Sequence, residues 1–300
     1  MRLLLIDANS LIHRAFHALP PLTTKNGSPG QALYGLGSIM LKLWREQKPD
    51  YAAALFDRPE PTFRKEKYSE YKAQRPAAPN ELVSQIIEAK NLFQKFGVNF
   101  FEAPGFEADD LIATFARKFE GVEELEIVIL TGDMDTLQLV NDKVSVQTLR
   151  KGVSDTMTYN EAAVREKYGL TPPYLIEYKA LVGDASDNIR GVSGIGPKTA
   201  AELVQKYGSL ESIFEHLSEL APGVRDKLAR GHEEAFLSRT LVRLSDNAPV
   251  PPTELESLRV GEDKTKAAEY LESLGFASLV QRLMKAEEPA VKKLTQGKIF

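Results

Sequence analysis

Apolar residues fall in two rhythms along this chain. Short apolar runs occur at Arg2–Ile6, Tyr51–Phe56, Val98–Glu102 and Glu126–Leu130. Between them lie segments with helical spacing: Leu33–Gln47, Asn80–Phe96 and Ala108–Phe119. In the last, positions 108, 111, 112, 115, 116 and 119 form one stripe. Strand-like runs alternating with helices predict an α/β domain with a mainly parallel sheet over residues 1–180. From about Pro172 the pattern turns helical. A glycine-rich stretch, Gly191–Gly196, opens into a helix over Thr199–Tyr207 that stops at Gly208. Asn247–Thr253 is a proline-rich connector, Thr265–Ala286 reads as one or two closing helices, and residues 291–300 read as a basic, disordered tail.

Composition narrows the chemistry. Hydrophobic residues make up 43% of the chain and charged residues 27%, enough for a sizeable core. No apolar run approaches a membrane-spanning length, and Leu3-Leu4-Leu5-Ile6 is stopped by Asp7, too short for a signal core. A cytoplasmic location is the resulting expectation. With no cysteine, thiolate metal sites and cysteine nucleophiles are excluded. The four histidines are scattered, so a metal site would be built mainly from oxygen, which suits Mg²⁺, Mn²⁺ or Ca²⁺.

Three of the predicted strands run into aspartate: Asp7, Asp57, and Asp133 with Asp135 two residues on. In an open parallel sheet, sites form beyond the carboxyl ends of the strands, so these acids converge in space. The fourth strand leads into Gly105-Phe106-Glu107-Ala108-Asp109-Asp110, where Glu107 and Asp110 are i,i+3. Asp184 and Asp187 are a second such pair. An acid after a strand is often only a turn or N-cap residue; nine in these positions point to a shared site. Two like charges about 4 Å apart repel by roughly 4 kcal/mol at an effective dielectric near 20, so such a cluster calls for divalent cations. The net charge of −4 argues against a nucleic-acid partner at first sight. Without those nine of its 42 acids, however, the chain is basic, its 38 lysines and arginines outnumbering the remainder.

A basic, aromatic stretch follows Asp57. It carries Arg64, Lys65, Lys67, Tyr68, Tyr71, Lys72 and Arg75. Cations there would neutralise phosphates and rings would stack on unpaired bases. Tyr68, Lys72 and Arg75, at i, i+4 and i+7, predict one helical face; the alternative is a solvated helix partnered by Glu66 and Glu70. The glycine-rich stretch reads as a hairpin whose free N–H groups, with Lys198 and Thr199 at the helix start, can hold a phosphate. Gly194 and Gly196 allow the close approach, Gly191 opens the same DNA-binding stretch, and an ordinary helical corner is the alternative. Two look-alikes fail. In Asp133-Met134-Asp135-Thr136-Leu137 the threonine is one place too early for a phosphatase pattern, and Pro197 interrupts a P-loop match.

In order, LLLIDANSLIHRAFHALPPL, ALFD, TFRKEKYSEYKAQRP, GFEADD, LTGDMDTLQLV and LVGDASDNIRGVSGIGPKTA resemble the 5′-nuclease domains at the front of bacterial family A DNA polymerases, and more broadly the flap endonucleases. The resemblance covers nearly the whole chain. It implies a PIN-like α/β core over 1–180 with a helical arch at about 62–90. It also implies a helical duplex-binding region over 181–290 with a helix–hairpin–helix-type motif at 191–208. It assigns Asp7, Asp57, Glu107, Asp109, Asp110, Asp133, Asp135, Asp184 and Asp187 to two or more Mg²⁺, with Mn²⁺ able to substitute. Tyr71, Lys72 and Arg75, the catalytic candidates, would lie in the arch, with Lys72 and Arg75 reaching the scissile phosphate. Arg14 would contact phosphate from the first helix, and the hairpin would bind duplex, with K⁺ on its carbonyls. Met134 departs from the basic residue common between the two aspartates of that motif. No polymerase domain follows within 300 residues, which leaves a stand-alone nuclease or the front of a polymerase.

The implied activity is two-metal hydrolysis of DNA at 5′ flaps, nicks and free 5′ ends, by a monomer. A ribonuclease acting on RNA or an RNA–DNA hybrid, and a non-catalytic structure-specific DNA-binding module, are the alternatives.

Overall fold

The computed structural model describes residues 1–149, 156–261 and 263–285. Its sheet has six strands: β1 (Arg2–Asp7), β2 (Tyr51–Leu55), β3 (Asn99–Phe101), β4 (Glu126–Leu130), β5 (Val144–Leu149) and β6 (Thr156–Tyr159). Their order is β3-β2-β1-β4-β5-β6, with only β6 antiparallel to its neighbour. The four expected strands are all present. The apolar pattern missed β5 and β6, because Ser145, Gln147 and Thr148 break the run toward that edge of the sheet.

Both faces of the central strands are covered, which is why they read as continuous runs rather than as alternation. Leu3, Leu5, Ile127 and Ile129 enter one core cluster; Leu4, Ile6, Val128 and Leu130 enter the other. The first lies under the Ala108–Phe119 helix and continues into the helical region through Val192, Ile195, Leu203 and Val204. The α/β core and the helical region therefore share apolar packing.

The second cluster is covered by the helices Ala8–Ala18, Gln31–Gln47 and Asn80–Lys95, and by Thr265–Ser273 and Ala277–Lys285. The span expected as one helical region, 181–290, thus divides. Its last two helices return to the α/β core, where Leu271 and Leu279 pack opposite Gly37. The expected tail, 291–300, lies outside the described residues. Among the described residues no helix is long and apolar enough to cross a membrane.

The arch segment is less helical than its spacing predicted. A short helix, Phe63–Lys67, gives way to turns before Asn80–Lys95 begins. Lys72 sits at φ +51, left-handed backbone, so Tyr68, Lys72 and Arg75 do not share a helical face. The glycine hairpin lies between the helices Leu175–Val182 and Pro197–Tyr207. Pro197 at the first helical position needs no N–H partner there. Gly183 and Gly191 both have positive φ, and a Cβ on Gly191 would meet Gly183 N at 2.4 Å. That crossing closes the loop that carries Asp184 and Asp187.

Candidate active site

The carboxyl ends of β1, β2 and β4 open into a cleft of about 300 Å³. Asp7, Asp57, Glu107, Asp109 and Asp133 line it, with Asn9, Ser10, His13, Lys72, Arg75 and Gly132. Parallel register places Asp7 beside Leu55, so Asp57 follows two residues beyond on the neighbouring strand. Convergence of the strand-end acids is therefore a product of sheet order.

Each acid is fixed locally. Asp7 caps the Ala8–Ala18 helix by accepting from Ser10 N at 2.9 Å, and its other oxygen accepts from Thr131 Oγ1 at 2.6 Å. Asp57 accepts from Ala108 N at 2.7 Å, and Asp133 from Asp135 N at 2.8 Å. Asp109 differs: its Oδ1 is buried with no hydrogen-bond partner.

This crowding shows in the proton affinities. Burial, and then the Asp57 charge, push the Asp7 carboxyl up to about 7. Burial and Asp133 push Asp135 to about 7, against the opposing pull of Lys179. Asp57 is raised mainly by burial, and Asp109 well above the usual range by burial, Asp133 and Asp7. His13, at the cleft mouth, is lowered by burial, His17 and Arg75.

The remaining acids form a flank held by cations. Lys179 Nζ donates to Asp184 Oδ2 at 2.9 Å and also to Asp135 Oδ1. Asp187 accepts from Arg75 Nη2 at 2.5 Å and from the Tyr71 hydroxyl at 3.1 Å. Lys72 Nζ donates to Glu107 Oε1 at 2.8 Å, and the Tyr71 hydroxyl to Glu107 Oε2 at 2.8 Å. Burial lowers the Lys72 ammonium's proton affinity, but Glu107 and Asp187 outweigh it and raise the pKa. Among the described residues no three acid or histidine side chains converge on one point closely enough to hold an ion. Instead Lys72, Arg75 and Lys179 pair with Glu107, Asp187, Asp135 and Asp184.

Two assignments are corrected. Asp110 is fully buried and turned away from the cleft. Arg64 donates to both of its oxygens at 2.7 Å, while Glu107 N and Ser245 N complete its shell. The i,i+3 spacing of Glu107 and Asp110 is a capping box, not a shared ligand face. Arg64, expected on phosphate, is 1% exposed and also donates to the Leu241 and Arg243 carbonyls.

Its neighbours are also differently placed. Lys65 Nζ donates to the Ser69 and Tyr71 carbonyls, and the Tyr68 hydroxyl donates to Glu70. Tyr71 is 4% exposed. Lys67 stays exposed, Arg14 is half-buried on the Ala8–Ala18 helix, and Lys198 is exposed at the start of the Pro197–Tyr207 helix, beside half-buried Thr199. Gly194 and Gly196 are exposed on the hairpin, whereas Gly191 is buried behind it. Lys179 and His13 went unrecognised as site residues. His13 lies two turns along the helix that Asp7 caps, a signal that could have found it; Lys179 stands in an ordinary helical pattern and gives none.

A mostly parallel α/β sheet with acids at its strand ends, joined to a helical hairpin region, is a fold shared with solved 5′-exonucleases. T5 5′-exonuclease with bound zinc superposes at a TM-score of 0.67 and 23% identity, covering 95% of this chain and 98% of that one. The catalytic core of Rad2 in complex with DNA substrate superposes at 0.61 and 16%, covering 95% and 92%. Residues 2–169 match the 5′-3′ exonuclease N-terminal resolvase-like domain, and 170–266 match the 5′-3′ exonuclease C-terminal SAM fold. The chain belongs to the 5′-3′ exonuclease family. DNA polymerase I of Caldicellulosiruptor bescii is 41% identical over 94% of the chain, and thermostable DNA polymerase I of Thermus thermophilus 39% over 96%. The chain spans about a third of the length of these relatives, 33% and 34%.

Proposed function

We propose that this chain hydrolyses DNA phosphodiesters at 5′ flaps, nicks and free 5′ ends, using Mg²⁺ held at the acid cleft. The observation that carries this is the cleft itself: three carboxylates at strand ends and two at the start of the Ala108–Phe119 helix, among them Asp109 with a buried, unpartnered oxygen. Donors of oxygen alone suit a hard cation. Asp7, Asp57, Glu107, Asp109 and Asp133 would hold one ion, and Asp135, Asp184 and Asp187 a second. When bound, the ions supply a nucleophilic water and charge for the leaving oxygen.

The protein's own groups do the rest. Asp7 and Asp109, both desolvated, give up their protons more readily once a cation faces them. Lys72 and Arg75, released from Glu107 and Asp187, would turn to the scissile phosphate and offset its developing charge. Tyr71 holds Glu107 and Asp187 in place through its hydroxyl. Arg14 and the hairpin, with Lys198 and Thr199, would position the duplex by its phosphates, which carries no sequence information. K⁺ on the hairpin carbonyls, a monomeric state and a cytoplasmic location complete the reading.

The test is a nicked duplex labelled on its 5′ flap, incubated with Mg²⁺, with chelator, and with Asp109→Asn. Metal-dependent release of a short labelled fragment, absent in the variant, is the expected result. Binding without cleavage under any divalent ion would overturn it. A matched RNA flap in parallel separates the DNA reading from the ribonuclease reading.

A further inference from the structure

Behind the base of the arch lies a second, larger cleft, about 720 Å³, within the size range of small-ligand sites. Phe63 and Phe106 form one wall, their ring centroids 5.7 Å apart and tilted by 54°. Lys67, Arg239 and Arg243 bring three cations to it. Arg239 is committed, donating to both oxygens of Glu211 at 2.6 and 2.7 Å. The rim acid Asp246 is likewise taken, by Arg117 at 2.5 Å. Arg243 is 58% exposed and reaches Glu177 only at 4.0 Å, and Lys67 is exposed 5.9 Å from the Phe63 ring. A half-buried aromatic wall with two loosely held cations is suited to a base and its phosphate.

This cleft adjoins the acid site along the chain, although the two share no lining residue. Phe106 immediately precedes Glu107, and Phe63 N donates to Gly105 O at 2.9 Å. Arg64 spans the two, reaching Glu107 at 3.3 Å on one side and the Arg243 carbonyl at 3.0 Å on the other. Nothing in the cleavage chemistry needs an aromatic wall here. Resting on the nuclease reading above, we infer that this cleft binds an unpaired nucleotide of the strand being cut. Its base lies on Phe63 and Phe106, and its phosphate meets Arg243 and Lys67. Stacking on aromatic side chains tolerates any base, because every base has a flat face. The site therefore reads single-strandedness, not sequence.

The experiment uses the full chain with Ca²⁺ in place of Mg²⁺ for binding, and two DNAs: a nicked duplex with a 5′ flap and the same nick without one. Phe63→Leu keeps apolar bulk but removes the ring, and Arg243→Gln keeps length but removes the charge. Each is expected to weaken flap binding about fivefold or more, the low end for loss of one stacked base, and to leave the flapless nick unchanged. Abasic residues in the flap should cost the wild type a similar factor and cost Phe63→Leu nothing further. 5-Iodouracil in the flap should crosslink to the peptides holding Phe63 or Phe106. Equal losses on both DNAs, no loss on either, or a crosslink mapping elsewhere would overturn the assignment. A wild type that binds and crosslinks the flap but never cuts it with Mg²⁺ would overturn the nuclease reading and leave this site standing.

Discussion

Asp109 and Asp110 are adjacent in the chain and opposite in circumstance. Asp110 points into the core, where Arg64, Glu107 N and Ser245 N satisfy both its oxygens. Asp109 points into the cleft, half-buried among other acids, with its Oδ1 buried and unpartnered. One side of this helix turn is stabilised by its carboxylate; the other is strained by it. The difference separates a structural acid from one with an oxygen left free for a ligand more sharply than spacing does, because both oxygens of Asp110 are already taken by hydrogen-bond donors.

The largest effects should come from exchanging these two. Asp109→Asn should abolish cleavage while raising the metal-free Tm, since it removes a charge from a repulsive cluster. Asp110→Asn should instead lower stability by about 3–5 kcal/mol, the cost of leaving Arg64 buried and unpaired. Denaturant melts and cleavage assays on both variants check this, and a metal-free Tm lowered by Asp109→Asn would break the contrast. Pairing Arg64→Met with Asp110→Leu should recover much of that loss.

Next in size is Lys72→Ala, expected to lower kcat about 10²–10³-fold with little change in KM. A change confined to KM would make Lys72 a substrate anchor rather than a group acting on the transition state.

A pH series sharpens the electrostatic side. Asp7 and Asp135 have folded pKa values of about 7, raised from 3.8. Between about pH 4 and pH 7 the folded state keeps protons that the unfolded state has released, so these two acids destabilise the fold increasingly as pH rises. Divalent cation should remove that penalty. The gain in Tm on adding Mg²⁺ should therefore grow from pH 5 to pH 8, as read by calorimetry with and without chelator. A gain that shrinks over that range would place the ions elsewhere.

The smallest effect is expected far from the cleft. Lys198→Ala should weaken duplex binding modestly and lower the slope of log affinity against log salt by about one phosphate contact. An unchanged slope in a binding titration would remove Lys198 from the interface.

The amino-acid sequence by itself determined the central strands and the residues at their ends. Leu3–Ile6, Ala52–Phe56 and Ile127–Leu130 are continuous because both sheet faces are covered, and each run leads into the acids of the site. Parallel topology then obliges Asp7, Asp57 and Asp133 to meet. Only the tertiary structure decided which neighbours those side chains face. Spacing of i,i+3 says that Glu107 and Asp110 lie close, and says nothing of whether a metal or Arg64 lies beyond them. A lysine-rich stretch says that charge is present, while the left-handed turn at Lys72 and the burial of Arg64 determine where it points. The Thr265–Ser273 and Ala277–Lys285 helices return to the α/β core, on its second cluster, for the same reason: amphipathic periodicity fixes an apolar face but not its partner.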